Sequence, residues 1–146
     1  MLEVLGMQLT EANVKIMNEG IPEELKVNLN IDRVTKHDDS NVVLEFSYQV
    51  EYAPALAAVF VRGIAFCRDT PQNIKKTLEA WRSKKGIPPE LGGAALNMIN
   101  ANVAVNTIFL IRPFNLVPHF MPPPVYEGAP VPKSTGKPKP KKKKKR

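Results

Sequence analysis

The chain has 146 residues, 43% of them apolar and concentrated before Pro122, which is material for one buried core and not for several. Its formal charge of +7 sits at one end: residues 133–146 hold nine cations and no acid, leaving 7 − 9 = −2 for the rest. Attraction to a polyanion is therefore to be sought first in that segment and not on the folded surface, and a lone cysteine excludes an internal disulfide or a thiolate-held metal cluster.

Leu2 to Ile16 reads as a strand with a bend or bulge, because Val4, Met7, Leu9, Val14 and Ile16 are interrupted by Gly6 and by Glu11–Ala12–Asn13. Gly20–Ile21–Pro22 makes a turn. Leu25, Val27, Leu29 and Ile31 then alternate with Lys26, Asn28, Asn30 and Asp32, the period-2 signature of a sheet with one face buried. After the polar stretch His37–Asp38–Asp39–Ser40–Asn41, the same alternation returns over Leu44, Phe46, Tyr48, Val50 and Tyr52, so the two runs form an antiparallel hairpin. Pro54 closes it. Ala57 to Cys67 is apolar on both faces, as for a strand covered on two sides. Arg62 is the exception and marks an edge or a subunit contact.

Thr70–Pro71 is a helix start, with a hydroxyl N-cap and proline in the first turn, and Gly86 is a stop. Ile74, Leu78 and Trp81 form its narrow apolar stripe, while Lys75, Lys76, Arg82, Lys84 and Lys85 face water. A long helix follows from about Leu91 to Arg112, bounded by Pro88–Pro89 and Pro113. Its expected core stripe is Leu91, Ala95, Met98, Ala101, Asn102, Val105, Ile108 and Phe109, worth on the order of 10 kcal/mol gross once buried. Ala94 to Ile111 carries no charge, which raises a membrane-spanning alternative. Asn97, Asn100, Asn102 and Asn106 oppose it, since each would bring an amide into hydrocarbon. Their edge of the helix either is solvated or pairs with a second copy in a dimer. The expected architecture is α+β, a four-stranded antiparallel sheet covered by a short and a long helix over residues 1–121, with a Pro/Lys-rich tail over 122–146.

In element order, and in the segment after the long helix, residues 1–121 resemble the SecB family of protein-export chaperones and its archaeal SecB-like relatives. Asn115–Leu116–Val117–Pro118 followed by Phe120 is similar to the N-L-x-P stretch that the family carries there. The resemblance implies dimerisation through sheets and helices, and apolar grooves for unfolded preproteins. Bacterial members are acidic and use acidic surface to reach the export motor, whereas this chain ends in lysines.

Pro122–Pro123–Pro124, Pro130, Pro132, Pro138 and Pro140 favour an extended arm that forms no core. Lys133, Lys137, Lys139, Lys141, Lys142, Lys143, Lys144, Lys145 and Arg146 are the expected RNA-binding residues, replacing counterions along phosphates without reading sequence. Residues 133–146 contain no aromatic side chain, so base stacking is not part of that segment. Ribosomal RNA is the first partner expected; a merely solubilising tail and an anionic membrane surface are the alternatives. The N-terminus lacks the basic and apolar runs of a secretory signal, which points to the cytosol.

No enzyme constellation is expected, and no metal or cofactor. His37 lies in an acidic turn, His119 follows a proline, and Cys67 sits in a strand away from any base. Gly92–Gly93 lacks the lysine and hydroxyl of a phosphate loop, and Asp38–Asp39 suits a turn cap better than a metal. Two functions follow: an RNA-associated, ribosome-bound structural protein anchored by its tail, or a chaperone that holds unfolded chains.

Overall fold

The computed structural model describes residues 1–84 and 86–118. Four long strands, β1 (Glu3–Ile16), β2 (Glu24–Lys36), β3 (Asn41–Ala53) and β4 (Ala57–Arg68), precede two helices, α1 (Pro71–Arg82) and α2 (Pro89–Ile111). A short 3-10 turn, Arg112–Phe114, ends α2. All strand pairs are antiparallel, in the order β1-β4-β3-β2. The α+β architecture is the expected one; the proposed boundary at residue 121 lies outside the described residues.

Period-2 alternation decides the sheet. Register places Val4, Met7, Leu9, Val14 and Ile16 of β1 in line with Cys67, Ala65, Gly63, Val59 and Ala57 of β4. These in turn lie opposite Val42, Leu44, Phe46, Val50 and Tyr52 of β3, so one face is apolar across its width. The β3 members of that face are at most 1% exposed, each contributing roughly 1.5–3 kcal/mol of burial. Leu25, Val27, Leu29 and Ile31 of β2 complete the face and are half-buried. In β1 the register shifts between Val4 and Gly6 and again between Leu9 and Glu11, which is the bulged strand that the interruptions predict.

The β2–β3 turn is closed by Asp38, whose carboxylate accepts from Ser40 N at 2.8 Å and from the Asn41 side chain at 2.8 Å. The Asn41 bond, then that of Ser40, holds its pKa below the usual carboxylate value. This pair of aspartates therefore shapes a turn. α1 begins as its sequence predicts, with Thr70 Oγ1 accepting from Asn73 N at 3.3 Å and Pro71 in the first turn. Its buried residues are Ile74, Thr77 and Leu78.

Two expectations fail in the packing. The face of α2 that meets the sheet is Gly92, Gly93, Ala95, Ile99, Val103, Ala104, Thr107 and Ile111, while Met98, Val105 and Phe109 are 54%, 48% and 64% exposed. Only Ala95 of the expected stripe is buried. The helix is apolar nearly all round, so periodicity alone could not choose a face; the inner one mixes small residues with the fully buried Ile99, Val103 and Ile111. A side chain at Gly92 would run into Ile87. β4, likewise, is covered on one side only. Its other face is open, Phe66 is 43% exposed, and Arg62 sits there over the Phe60 ring at 5.1 Å, with Glu11 at 3.8 Å. Arg62 thus occupies an interior strand, not an edge.

Candidate polypeptide-binding surface

α2 begins beside the N-terminus of β1, where Leu2 N donates to Leu91 O at 2.7 Å, and lies along β1 and β4 toward Ile16. Its outward side chains Met98, Ala101, Val105 and Phe109 follow steps of three and four residues, so they form one open ridge. The polar members of that ridge are satisfied within the helix: Asn106 Nδ2 donates to Asn102 Oδ1 at 2.8 Å and to Asn102 O at 3.0 Å. From Ala94 to Ile111 the helix carries no charge. Pro89–Phe114 is long and apolar enough by composition to cross a membrane, yet eight α2 residues are spent on the sheet.

The ridge leads to a second apolar group at the far end of the sheet. Past Phe114, which is 45% exposed, Asn115 takes the left-handed conformation at φ 54° and turns the chain back. The N-L-x-P segment then docks: Tyr52 Oη donates to Val117 O at 2.6 Å, and Leu116 packs on the core. Ile16, Asn18, Gly20, Pro22, Tyr52, Leu56, Asn115, Leu116 and Val117 together enclose a small hollow. Around it Ile16, Met17, Ile21 and Val117 keep large apolar surfaces in solvent, Ile21 being 90% exposed. Burying such side chains against a partner is favourable in proportion to area.

Beneath this surface the titratable groups are locked in neutral form. Burial, with a smaller contribution from Tyr52, pushes the Tyr48 hydroxyl up to about 12, and burial alone pushes the Cys67 thiol up to about 11. Cys67 is fully buried and serves as a small apolar residue. Among the described residues no three of His, Cys, Asp and Glu converge as metal ligands. The nine expected RNA-binding cations, Lys133 to Arg146, lie outside the described residues, as do His119 and Phe120.

Sequence reading missed the ridge as a surface because it assigned Met98, Val105 and Phe109 to the core. The signal that could have found it is the alignment of Gly92, Ala95, Ile99, Val103 and Ala104 at steps of one, three and four residues, an unbroken apolar stripe free of asparagine.

No family model matches the chain, and no curated protein matches it. Among solved structures it is similar to the Mycobacterium tuberculosis Rv1957 SecB-like chaperone, solved in complex with a ChAD peptide from the Rv1956 HigA1 antitoxin. The two superpose with a TM-score of 0.60 at 11% sequence identity, over 86% of this chain and 88% of the other. The fold of the chain is therefore SecB-like.

Proposed function

We propose that the protein is a non-enzymatic, cytosolic chaperone that holds unfolded polypeptide segments on its exposed apolar surface. The observation that carries this reading is the uncharged ridge of α2 with Met98, Val105 and Phe109 in solvent. Extended segments of unfolded chain expose apolar side chains without fixed order, and a surface free of charge accepts many of them. The SecB-like neighbour, which was solved with a peptide, supports the same class of ligand. Descent from the SecB family, its archaeal-type branch included, is part of this proposal and rests on element order and the N-L-x-P segment. Self-association runs through β1, one of the two outer strands of the sheet among the described residues, and leaves the α2 ridge free.

The test is suppression of light scattering by a chemically unfolded client. The full chain is expected to suppress it at stoichiometric amounts, and a variant with Met98→Ser, Val105→Ser and Phe109→Ser is expected not to. Equal suppression by both, or none by the full chain, overturns the reading.

A second reading is favoured by one specific feature, the nine cations of residues 133–146. We propose that they attach the protein to RNA, ribosomal RNA first, through counterion release. Replacing the nine by Gln in the full chain is expected to weaken co-sedimentation with ribosomes at low salt by an order of magnitude or more. Unchanged co-sedimentation excludes the tail as the anchor.

A further inference from the structure

The net charge of −2 outside residues 133–146 conceals a local excess of the opposite sign. On the sheet and its hairpin three cations are matched and the others stand apart along different strands: Arg33 lies 3.3 Å from Glu45, Lys36 2.9 Å from Asp39 and Arg62 3.8 Å from Glu11. On α1 and the turn after it, Lys75, Lys76, Arg82 and Lys84 are exposed, and among the described residues none of the four has an ion-pair partner. Glu79 is the one acid in the stretch 71–84. Unpaired cations at this density repel one another, and an anion laid across them relieves that repulsion.

An aromatic ring borders this patch at the end of α1. Trp81 is half-buried, packing one part on the core and lining with Arg82, Lys84 and Gly86 an open hollow of about 600 Å³. Lys84 is brought back against it by the end of the helix: its φ of 60° is left-handed, and its N–H donates to Trp81 O at 3.1 Å. Arg82 also lines a second hollow, with Lys75, between α1 and the β2–β3 hairpin. Arg82 lines both hollows, which makes them neighbours along one track; Asp39, already paired with Lys36, and Glu79 also line the second. Lys75 and Arg82 stand seven residues apart, about 10 Å along the helix axis.

We infer that this track is a binding site for single-stranded RNA, with Trp81 as the stacking platform for a base and Lys75, Lys76, Arg82 and Lys84 as phosphate contacts. A single strand offers a π-face and a negative charge at every nucleotide, which is the alternation this surface presents. A duplex hides its base faces, and an acidic peptide has charge without rings to stack. The inference rests on the RNA-binding reading of the tail, and it supplies the stacking that the tail has no aromatic residue to provide.

Trp81 is the single tryptophan of the chain, so its emission reports on this site alone. The full chain is titrated with a twelve-residue oligouridylate at low salt, and in parallel with a duplex RNA and with polyglutamate. Retention on a filter is measured on the same samples. Expected is quenching of Trp81 by the oligouridylate and by neither competitor. The exposed-charge variant Arg82→Glu with Lys84→Glu should bind roughly fivefold or more weakly, while Trp81→Phe should retain binding because it retains a ring. With the nine tail cations replaced by Gln, quenching should persist at lower affinity. Retention without any change in emission means that the tail alone holds RNA: the site is refuted and the tail reading survives. Loss of all retention refutes both, and equal quenching by polyglutamate refutes the choice of RNA.

Discussion

The two faces of α2 are equally apolar in composition and opposite in use. The inner face is built of small and β-branched residues, Gly92, Gly93, Ala95, Ile99, Val103 and Ala104, and disappears against β1 and β4. The outer face carries the bulk, Met98, Val105 and Phe109, and remains in solvent. Hydrophobicity alone does not say which side of a helix is core. Here short side chains, Gly92, Ala95 and Ala104, are interleaved with branched ones, Ile99, Val103 and Ile111, so the inner face comes near the sheet and still fills the space between.

Truncating one residue from each face separates the two most directly. Ile99→Ala is expected to cost about 2–5 kcal/mol by leaving a cavity, against at most about 0.5 kcal/mol for Phe109→Ala, both read from urea unfolding. Equal costs would mean that the outer face is as buried as the inner one. Placing charge on the outer face sharpens the same point: Val105→Glu with Phe109→Glu should abolish suppression of client aggregation and leave the mass by sedimentation equilibrium unchanged. A fall in mass would instead assign the ridge to contact between copies of this chain.

Smaller effects test how the end of the sheet is closed. Tyr52→Phe removes the 2.6 Å bond to Val117 O and should cost about 1 kcal/mol, together with faster proteolysis after Asn115. An unchanged unfolding midpoint would mean that the segment is held by Leu116 alone. Alkali gives the weakest and most general test. Burial raises Cys67 from 9.0 to about 11 and Tyr48 from 10.0 to about 12, so the unfolded chain ionises first. Stability is then whole below about pH 9 and declines as pH rises toward 11 and 12, by about 1 kcal/mol at pH 9.5. Stability that is flat from pH 8 to pH 10.5 contradicts the burial of both groups.

The strands were legible because a sheet with one covered face writes its period directly into β2 and β3, and the Asp38 turn and the Thr70–Pro71 cap carry their own local chemistry. Sheet order was not, since nothing in β4 says that it lies between β1 and β3. The α2 ridge was misplaced because the helix offers no polar stripe wide enough to orient it. The patch around Trp81 was hidden by averaging, as thirteen acids before residue 122 cancel cations of α1 with which, among the described residues, none forms an ion pair. A net charge is a property of a chain; a binding site depends on which charges lack partners.

The bond from Tyr52 to Val117 also sets a leash. It fixes the departure of the C-terminal segment at the end of the sheet where α2 finishes, and the 23 residues of α2 span about 34 Å. Fourteen residues lie between Pro118 and Lys133, fifteen steps of chain with a contour of at most about 54 Å. The leash is thus longer than the helix, and a nucleic acid strand seated at Trp81 can be gripped by the terminal lysines of the same molecule. Two weak grips on one strand raise each other's effective concentration. Deleting ten residues from that spacer would weaken the pair without touching either grip.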